Sequence, residues 1–246
     1  MTGTIRIGIG GWNYQPWRGV FYPVDLIQKR ELAFASRALT SIEINGTYYS
    51  SFKPESWRRW RDETPDGFVF SVKASRFCTN RKILADAGPS IGRFMQQGLT
   101  ELGDKLGPIN WQFMATKKFV ADDMAAFLSL LPGKQDGLPL RHAIEVRHPS
   151  FVDTAFTDLA RRHGVAIVHA KDEEFPEIDV TTANFTYARL KASQEDLETG
   201  LTVKELGGLA RHVRAKAKHG DVFAYFIAGA KVRNPAAAQA LIAKLR

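Results

Sequence analysis

The sequence predicts an α/β protein built as a single (β/α)8 barrel of the TIM type. Three observations lead there. Eight strand-like stretches alternate with mostly one helix-like stretch each, a pattern that implies parallel pairing and right-handed crossovers. Connections from helix to strand are short (Thr64-Pro65-Asp66-Gly67, His163-Gly164, His219-Gly220), whereas those from strand to helix, such as residues 11–25, 46–53, 75–88 and 171–183, are long. That asymmetry fits a barrel with a plain floor and a functional mouth. Polar and ionisable residues also gather at the C-terminal ends of six of the eight strands, where barrel enzymes keep their chemistry. A doubly wound open sheet is the alternative, and it would leave the first and last strands unpaired.

Each element has its own signal. Ile5 to Gly10 reads as the first strand, followed by an aromatic loop and a helix over Leu26 to Ala38. Thr40 to Asn45 is the second strand, and Pro54 opens a helix carrying Trp57 and Trp60, as proline suits the first helical turn. Phe68 to Lys73 is the third strand, with a helix over Ser90 to Leu102. Pro108 to Phe113 is the fourth, and its helix, Ala121 to Leu131, is closed by Pro132-Gly133. The fifth, Ala143 to Val146, runs straight into charge at Arg147-His148-Pro149 before a helix over Phe151 to His163. Val165 to Ala170, Phe185 to Leu190 and Val222 to Ile227 complete the set, with helices over Val203 to Lys218 and Pro235 to Leu245. Asn234 is the expected N-cap of the last helix, with Pro235 behind it.

Composition narrows the function classes. The 246 residues, 44% hydrophobic, can bury one large core, and no repeat or linker divides residues 1–246, so one domain is expected. One cysteine, Cys78, excludes an internal disulfide framework and fits a reducing compartment; its expected role is packing. No apolar run approaches the roughly 20 residues of a membrane helix, and the N-terminus reads directly into a strand, so a cytoplasmic location and no membrane partner are expected. A net charge of +8 favours anionic partners, with a small anionic molecule first and nucleic acid second.

The strand ends carry the candidate site. Side chains alternate along a strand, so Glu145 and Arg147 share one face while Ile144 and Val146 take the other. By the same reasoning Glu43 pairs with Asn45, Asn110 with Gln112, and Tyr187 with Arg189, while Lys73 ends the third strand with Arg76 beyond it. A carboxylate beside a guanidinium stays ionised, which suits Glu145 to a base or a ligand-orienting role. Should Glu43 converge on it, acid and base roles can be divided between the two. The catalytic candidates are therefore Glu145, Glu43 and His148. Lys73, Arg76, Arg147 and Arg189 form an expected anion-binding wall, with Asn45, Tyr49, Gln112, Asp172 and Trp12 completing the substrate-binding set. The competing reading is an ion-pair network that closes the top of the barrel.

No cofactor is expected. A divalent metal on Glu145, His148, His169 and Asp172 is the less favoured option, because no close-spaced His or Cys motif supports it and the nearby Arg and Lys repel a cation. Three further features have plainer readings. The run Trp12, Tyr14, Trp17, Phe21 and Tyr22 can stack a ligand or pack as a lid. Gly229-Ala230-Lys231 with Arg233 reads as a solvated loop more readily than as a phosphate site. The basic runs Arg58-Arg59-Arg61 and Arg211 to Lys218 read as solvated helix faces.

In combination, several of these stretches resemble a known family over essentially the whole chain. They are Gly11-Trp12-Asn13-Tyr14, Trp17-Arg18-Gly19, Phe21-Tyr22-Pro23, Glu43 to Tyr49, Phe70 to Lys73 with Arg76, Leu106-Gly107-Pro108, Glu145 to Ser150 and Tyr187 to Leu190. The family is the domain of unknown function 72, or YecE-like, group. The resemblance implies a TIM-barrel fold and no established activity. The chain departs from the family pattern at Asn80, at Met114 to Lys118 and at Ala228 to Lys231. The leading expectation is an enzyme performing proton-transfer or hydrolytic chemistry on a small phosphorylated or carboxylated, carbohydrate-like molecule. Two alternatives stand beside it: a nucleic-acid-binding or nuclease-like barrel, and a non-catalytic scaffold with a decayed site.

Overall fold

In a computed structural model of the protein, which describes residues 2–171 and 174–246, the alternation of apolar strands and amphipathic helices closes a ring. The parallel segments are β1 (Ile5–Gly10), β2 (Ser41–Ile44), β3 (Val69–Lys73), β4 (Leu106–Gln112), β5 (His142–Glu145), β6 (Ala166–Ile167), β7 (His169–Lys171), β8 (Phe185–Leu190) and β9 (Asp221–Phe226). Their order in the sheet is β6-β5-β4-β3-β2-β1-β9-β8-β7. β6 and β7 are two pieces of one extended stretch parted by Val168. The first pairs with β5 and the second with β8. Eight strand positions therefore encircle the core, the sixth being split. β1 pairs with β9 from Ile5↔Val222 to Ile9↔Phe226, the closure that an open doubly wound sheet lacks.

Period-2 alternation sorts the side chains into two cores. Ile7, Ile9, Ile42 and Val72 face the helices and belong to the large cluster between sheet and helix layer. Val69, Ala143, Val168, Phe185, Phe223 and Tyr225 fill the barrel interior. There the Tyr225 hydroxyl meets Ser41 Oγ at 2.8 Å and Ser71 Oγ at 2.5 Å, so buried polar groups in this layer satisfy one another. Gly8 is required by close approach: a Cβ there would lie 1.9 Å from the carbonyl oxygen of Ser41 on β2. Gly8→Ala must push β1 from β2, and a loss of roughly 1–3 kcal/mol is expected, typical of overpacking. Urea denaturation checks it; an unchanged midpoint would contradict the close-approach argument.

The helices are α1 (Glu31–Ala38), α2 (Pro54–Glu63), α3 (Arg76–Thr79), α4 (Gly88–Met95), α5 (Ala121–Ser129), α6 (Thr154–Arg162), α7 (Val203–Ala217) and α8 (Asn234–Leu245). Several differ from expectation for local reasons. The first helix does not begin at Leu26; a 3-10 turn, Gln28–Arg30, leads into α1. The stretch expected as one helix from Ser90 to Leu102 is α4 plus a 3-10 segment, Leu99–Lys105, because Gly98 takes φ 96° between them. Residues 75–88, read as loop, hold α3 and a 3-10 turn, Leu84–Ala87. Asn234 is not the N-cap of α8 but its first residue. Its side chain instead accepts from Ser193 Oγ at 2.6 Å and donates to the Ala228 carbonyl at 3.2 Å. A small hairpin, Lys134–Gln135 with Leu138–Pro139, turns on Asp136-Gly137, both at positive φ. Among the described residues no helix is long and apolar enough to cross a membrane.

The aromatic loop after β1 is mostly a packing element. Trp17 and Tyr22 are buried; Trp17 Nε1 donates to the Lys231 carbonyl at 2.8 Å, and the Tyr22 hydroxyl donates to the Trp12 carbonyl at 2.7 Å. Cys78 is buried, and burial pushes its thiol up to about 12, an inert state at neutral pH. Arg58 pairs with Glu55 and Glu101, Arg59 with Glu63, and Arg61 with Asp62, so this basic run is a charge-balanced face.

Candidate functional site at the barrel mouth

Four strands deliver a buried ion-pair platform. Glu43 from β2, Asn110 from β4, Glu145 from β5 and Arg189 from β8 all face the barrel interior, in the phase that alternation requires. The Arg189 guanidinium joins the two carboxyl groups. Its Nη1 donates to Glu145 Oε1 at 2.8 Å and Oε2 at 2.7 Å, and its Nη2 donates to Glu43 Oε1 at 3.1 Å. The Tyr187 hydroxyl donates to Glu43 Oε2 at 2.5 Å, and Asn110 Nδ2 reaches Glu43 Oε2 at 3.4 Å and Glu145 Oε2 at 3.2 Å. Glu43, Glu145 and Arg189 are 0%, 2% and 4% exposed, so the platform lies below the solvent-facing surface. Arg189 Nε and Asn110 Oδ1 are buried with no hydrogen-bond partner among the described residues.

Next to the platform lie Gln112 and Lys73, both buried, and Arg147, which is partly exposed. Gln112 Nε2 donates to Glu145 Oε1 at 2.7 Å, and Arg147 donates to the same oxygen through Nε at 3.3 Å and Nη2 at 3.1 Å. Lys73 Nζ sits 4.2 Å from the centre of the Tyr48 ring, and the Arg147 guanidinium lies 4.7 Å from that of Phe175. Both are cation–π distances. Two carboxyl groups thus meet three cationic side chains, and the partly exposed Arg147 faces the opening.

Electrostatics divides the roles. Burial alone would raise the Glu145 carboxyl, but Arg189, then Arg147 and Lys73, override it and hold the group at about 2. Glu145 is therefore an ionised acceptor and no general acid. Because its folded value lies below the unfolded 4.5, the stability it contributes is fully present above that pH. It is lost as pH falls from about 4.5 toward 2, and on the order of 3 kcal/mol is expected to go. Denaturation series for wild type and Glu145→Gln at pH 7 and pH 3 check this: the gap between the two proteins should narrow on acidification. Lys73 goes the other way from a cation's ordinary value. Burial, and secondarily the Arg189 charge, bring its ammonium down to about 8 despite both glutamates. That places a titrating amine at the mouth near physiological pH.

The other expected residues scatter. His148 turns into its own chain, where Nδ1 lies 2.8 Å from Ser150 Oγ and accepts from the Ser150 N–H at 3.1 Å, capping the 3-10 turn Pro149–Phe151. Arg76 and Tyr49 form an exposed pair, 5.9 Å from guanidinium to ring centre. Asn45 donates to the Glu43 carbonyl at 3.4 Å and reaches a second feature, a groove of about 850 Å³ beside the mouth. Trp12, Phe52, Trp60, Lys29, Arg59 and Lys231 line that groove, which does not include Glu43 or Glu145. Trp12 packs edge-on to Trp60 at 5.2 Å there. Asp172 lies outside the described residues. Of the metal set considered from sequence, Glu145 and His148 are engaged as above, and His169 turns to Glu177 at 2.5 Å. Tyr48 and Phe175 were missed: Tyr48 lies within the Glu43 to Tyr49 stretch but was not singled out, and Phe175 had only the signal of an aromatic residue in a long loop after a strand.

With the fold and site described, comparison with known proteins gives one consistent result. The family model described as "Protein of unknown function DUF72" matches residues 6–246. The chain belongs to the DUF72 family. It is 29% identical over 150 residues to UPF0759 protein YecE of Escherichia coli, in both strain K12 and strain O157:H7. That match covers 60% of this chain and 50% of YecE, so the chain matches about half the length of these relatives. Among solved structures, a DUF72 family protein from Thermotoga maritima MSB8 aligns with a TM-score of 0.75 at 23% identity, covering 98% of each chain. A second, from Enterococcus faecalis V583, aligns with a TM-score of 0.75 at 17% identity over 99% of each. These likenesses concern the fold, and they agree with a parallel barrel.

Proposed function

We propose that the mouth of this DUF72 barrel binds a small phosphorylated or carboxylated molecule and that Lys73 exchanges a proton with it. The observation that carries the reading is the order of charge. A hydrogen-bonded Glu43–Arg189–Glu145 platform is buried, Lys73 is buried beside it, and Arg147 alone of the cations reaches toward solvent. Arg189 donates to both carboxyl groups, so it serves the platform rather than the anion-binding wall expected of it from sequence. Glu145 in turn fixes Arg147, whose planar fork suits a phosphate or carboxylate.

An amine lowered to about 8 is mostly charged at neutral pH yet gives up its proton more readily than an ordinary lysine, a property that suits a general acid–base group. Isomerase, lyase or hydrolase chemistry on a carbohydrate-like substrate uses that step, and the aromatic groove entered through Asn45 offers room for the rest of such a molecule. A cytoplasmic location fits the single, buried cysteine. The +8 charge keeps nucleic acid as the second reading, which requires steeply salt-dependent binding to oligonucleotides. A thermal-shift panel of inorganic phosphate, sugar phosphates, carboxylate metabolites and short oligonucleotides separates them. A ligand at 100 times its Kd should add about 2.7 kcal/mol. Response to one class of small anion supports the proposal; response only to oligonucleotides, or to nothing, overturns it.

A further inference from the structure

A second cluster of ligand-type side chains lies away from the platform, on the outer side of the split strand. His169 on β7 faces His212 on α7, with ring centres 5.2 Å apart. Asp179, from the segment between β7 and β8, sits between them: Oδ1 is 4.0 Å from His169 Nδ1, and Oδ2 is 3.9 Å from His212 Nε2. Those two imidazole nitrogens are buried and have no hydrogen-bond partner among the described residues. The His169 side chain is only 9% exposed, so its bare nitrogen is expensive to leave unsatisfied. A pair of histidines merely packed together would be expected to turn such atoms toward a donor or solvent.

The surroundings resemble the outer shell of a metal site. The other nitrogen of His169, Nε2, lies 2.5 Å from Glu177 Oε1. A ring that donates to a carboxylate through one nitrogen presents the lone pair of the other, the arrangement that orients histidine ligands in metalloproteins. Lys216, one turn beyond His212 on the same helix face, holds Asp179 Oδ1 at 2.6 Å and leaves Oδ2 facing His212. The three ligand atoms all lie within 4.8 Å of one another, a spread that small side-chain rotations bring around one ion. Beside them opens a cavity of about 610 Å³, lined also by Lys171, Lys204 and Arg211.

We propose that His169, Asp179 and His212 form a three-ligand site for a Zn²⁺-class cation, with a fourth position open to this cavity. Two imidazoles and one carboxylate suit zinc, nickel, cobalt or copper over magnesium or calcium, which prefer all-oxygen shells. Three protein ligands with an open position is the pattern of sites that bind water or substrate rather than purely structural ones. The ring of lysine and arginine side chains then favours an anionic fourth ligand, which offsets the positive charge gathered there.

The test uses the whole protein, stripped with a chelator and titrated with Zn²⁺ by calorimetry and with Co²⁺ by visible absorption. Wild type should bind one Zn²⁺ per chain and give the intense Co²⁺ bands of a four-coordinate site, with no comparable response to Mg²⁺. His212→Ala should weaken Zn²⁺ binding at least 100-fold and abolish the Co²⁺ bands. Glu177→Gln, at a half-exposed position that spares the fold, should weaken it about 10- to 100-fold. Zn²⁺ affinity unchanged in both variants, or a Co²⁺ spectrum equal to that of the free ion, overturns the proposal.

Discussion

Arg189→Met should destabilise the protein by about 3–5 kcal/mol, the range for removing one member of a buried ion pair. The expectation follows from what the guanidinium leaves behind. Glu145 is 2% exposed and Glu43 is fully buried, and Arg189 donates three hydrogen bonds to the pair. With the arginine gone, two carboxyl groups face each other across Asn110 in a site that water does not reach. Glu145 keeps Arg147 and Lys73, but no other guanidinium contacts Glu43 among the described residues. Arg189→Lys is expected to fall near the methionine variant, because an ammonium cannot span both carboxylates as the planar fork does. Urea denaturation gives the values. A loss below about 1 kcal/mol in Arg189→Met would mean that the platform is not the buried network described, since surface pairs are worth that little.

Lys73→Met should do the opposite. At pH 7 the variant is expected to melt at or above the wild-type temperature, yet to lose about 2–5 kcal/mol of anion affinity, roughly 300-fold at mid-range. The stability half rests on linkage. The folded value of Lys73, about 8, lies below its ordinary 10.5, so between those limits the unfolded chain binds the extra proton. Charged Lys73 therefore lowers stability at neutral pH, and that penalty fades as pH rises from about 8 to 10.5. Methionine fills similar volume without the desolvated charge. The affinity half rests on position, since Lys73 and Arg147 are the cations beside the platform. Melting curves with and without the best anion of the panel measure both halves. A variant that is markedly unstable, or that responds to the anion as wild type does, would assign Lys73 to structure.

The contrast between these two positions also shows what the sequence made legible. Strand phase was readable, because a period of two fixes each side chain's face from its neighbours alone: Glu43 with Asn45, Asn110 with Gln112, Glu145 with Arg147, Tyr187 with Arg189. Which of those residues consume one another was not. Arg189 reaches both carboxyl groups only because β8, β5 and β2 stand at matching heights across the ring, and that height is set by barrel stagger rather than by any one strand. Arg189 and Lys73 look alike as basic strand-end residues and both end buried, yet one is hydrogen-bonded between two carboxyl groups and the other lies against a tyrosine ring.

Long loops hid the rest. Phe175 and Asp179 come from a stretch with no periodic pattern, so nothing in it shows that one ring meets Arg147 and one carboxylate meets α7. His148 shows a local interaction winning: a histidine one residue before Pro149-Ser150 caps its own turn before it can serve a site. The Asp136-Gly137 hairpin went unread, although its dipeptide is a turn signal.

The most direct test of the account is an NMR titration of lysine side-chain carbons, with Lys73 assigned by its absence in Lys73→Met. The account predicts one lysine with a midpoint near pH 8, missing in the variant and shifted upward when phosphate or a sugar phosphate occupies the mouth. A Lys73 midpoint at the ordinary 10.5, unmoved by any anion, would contradict it.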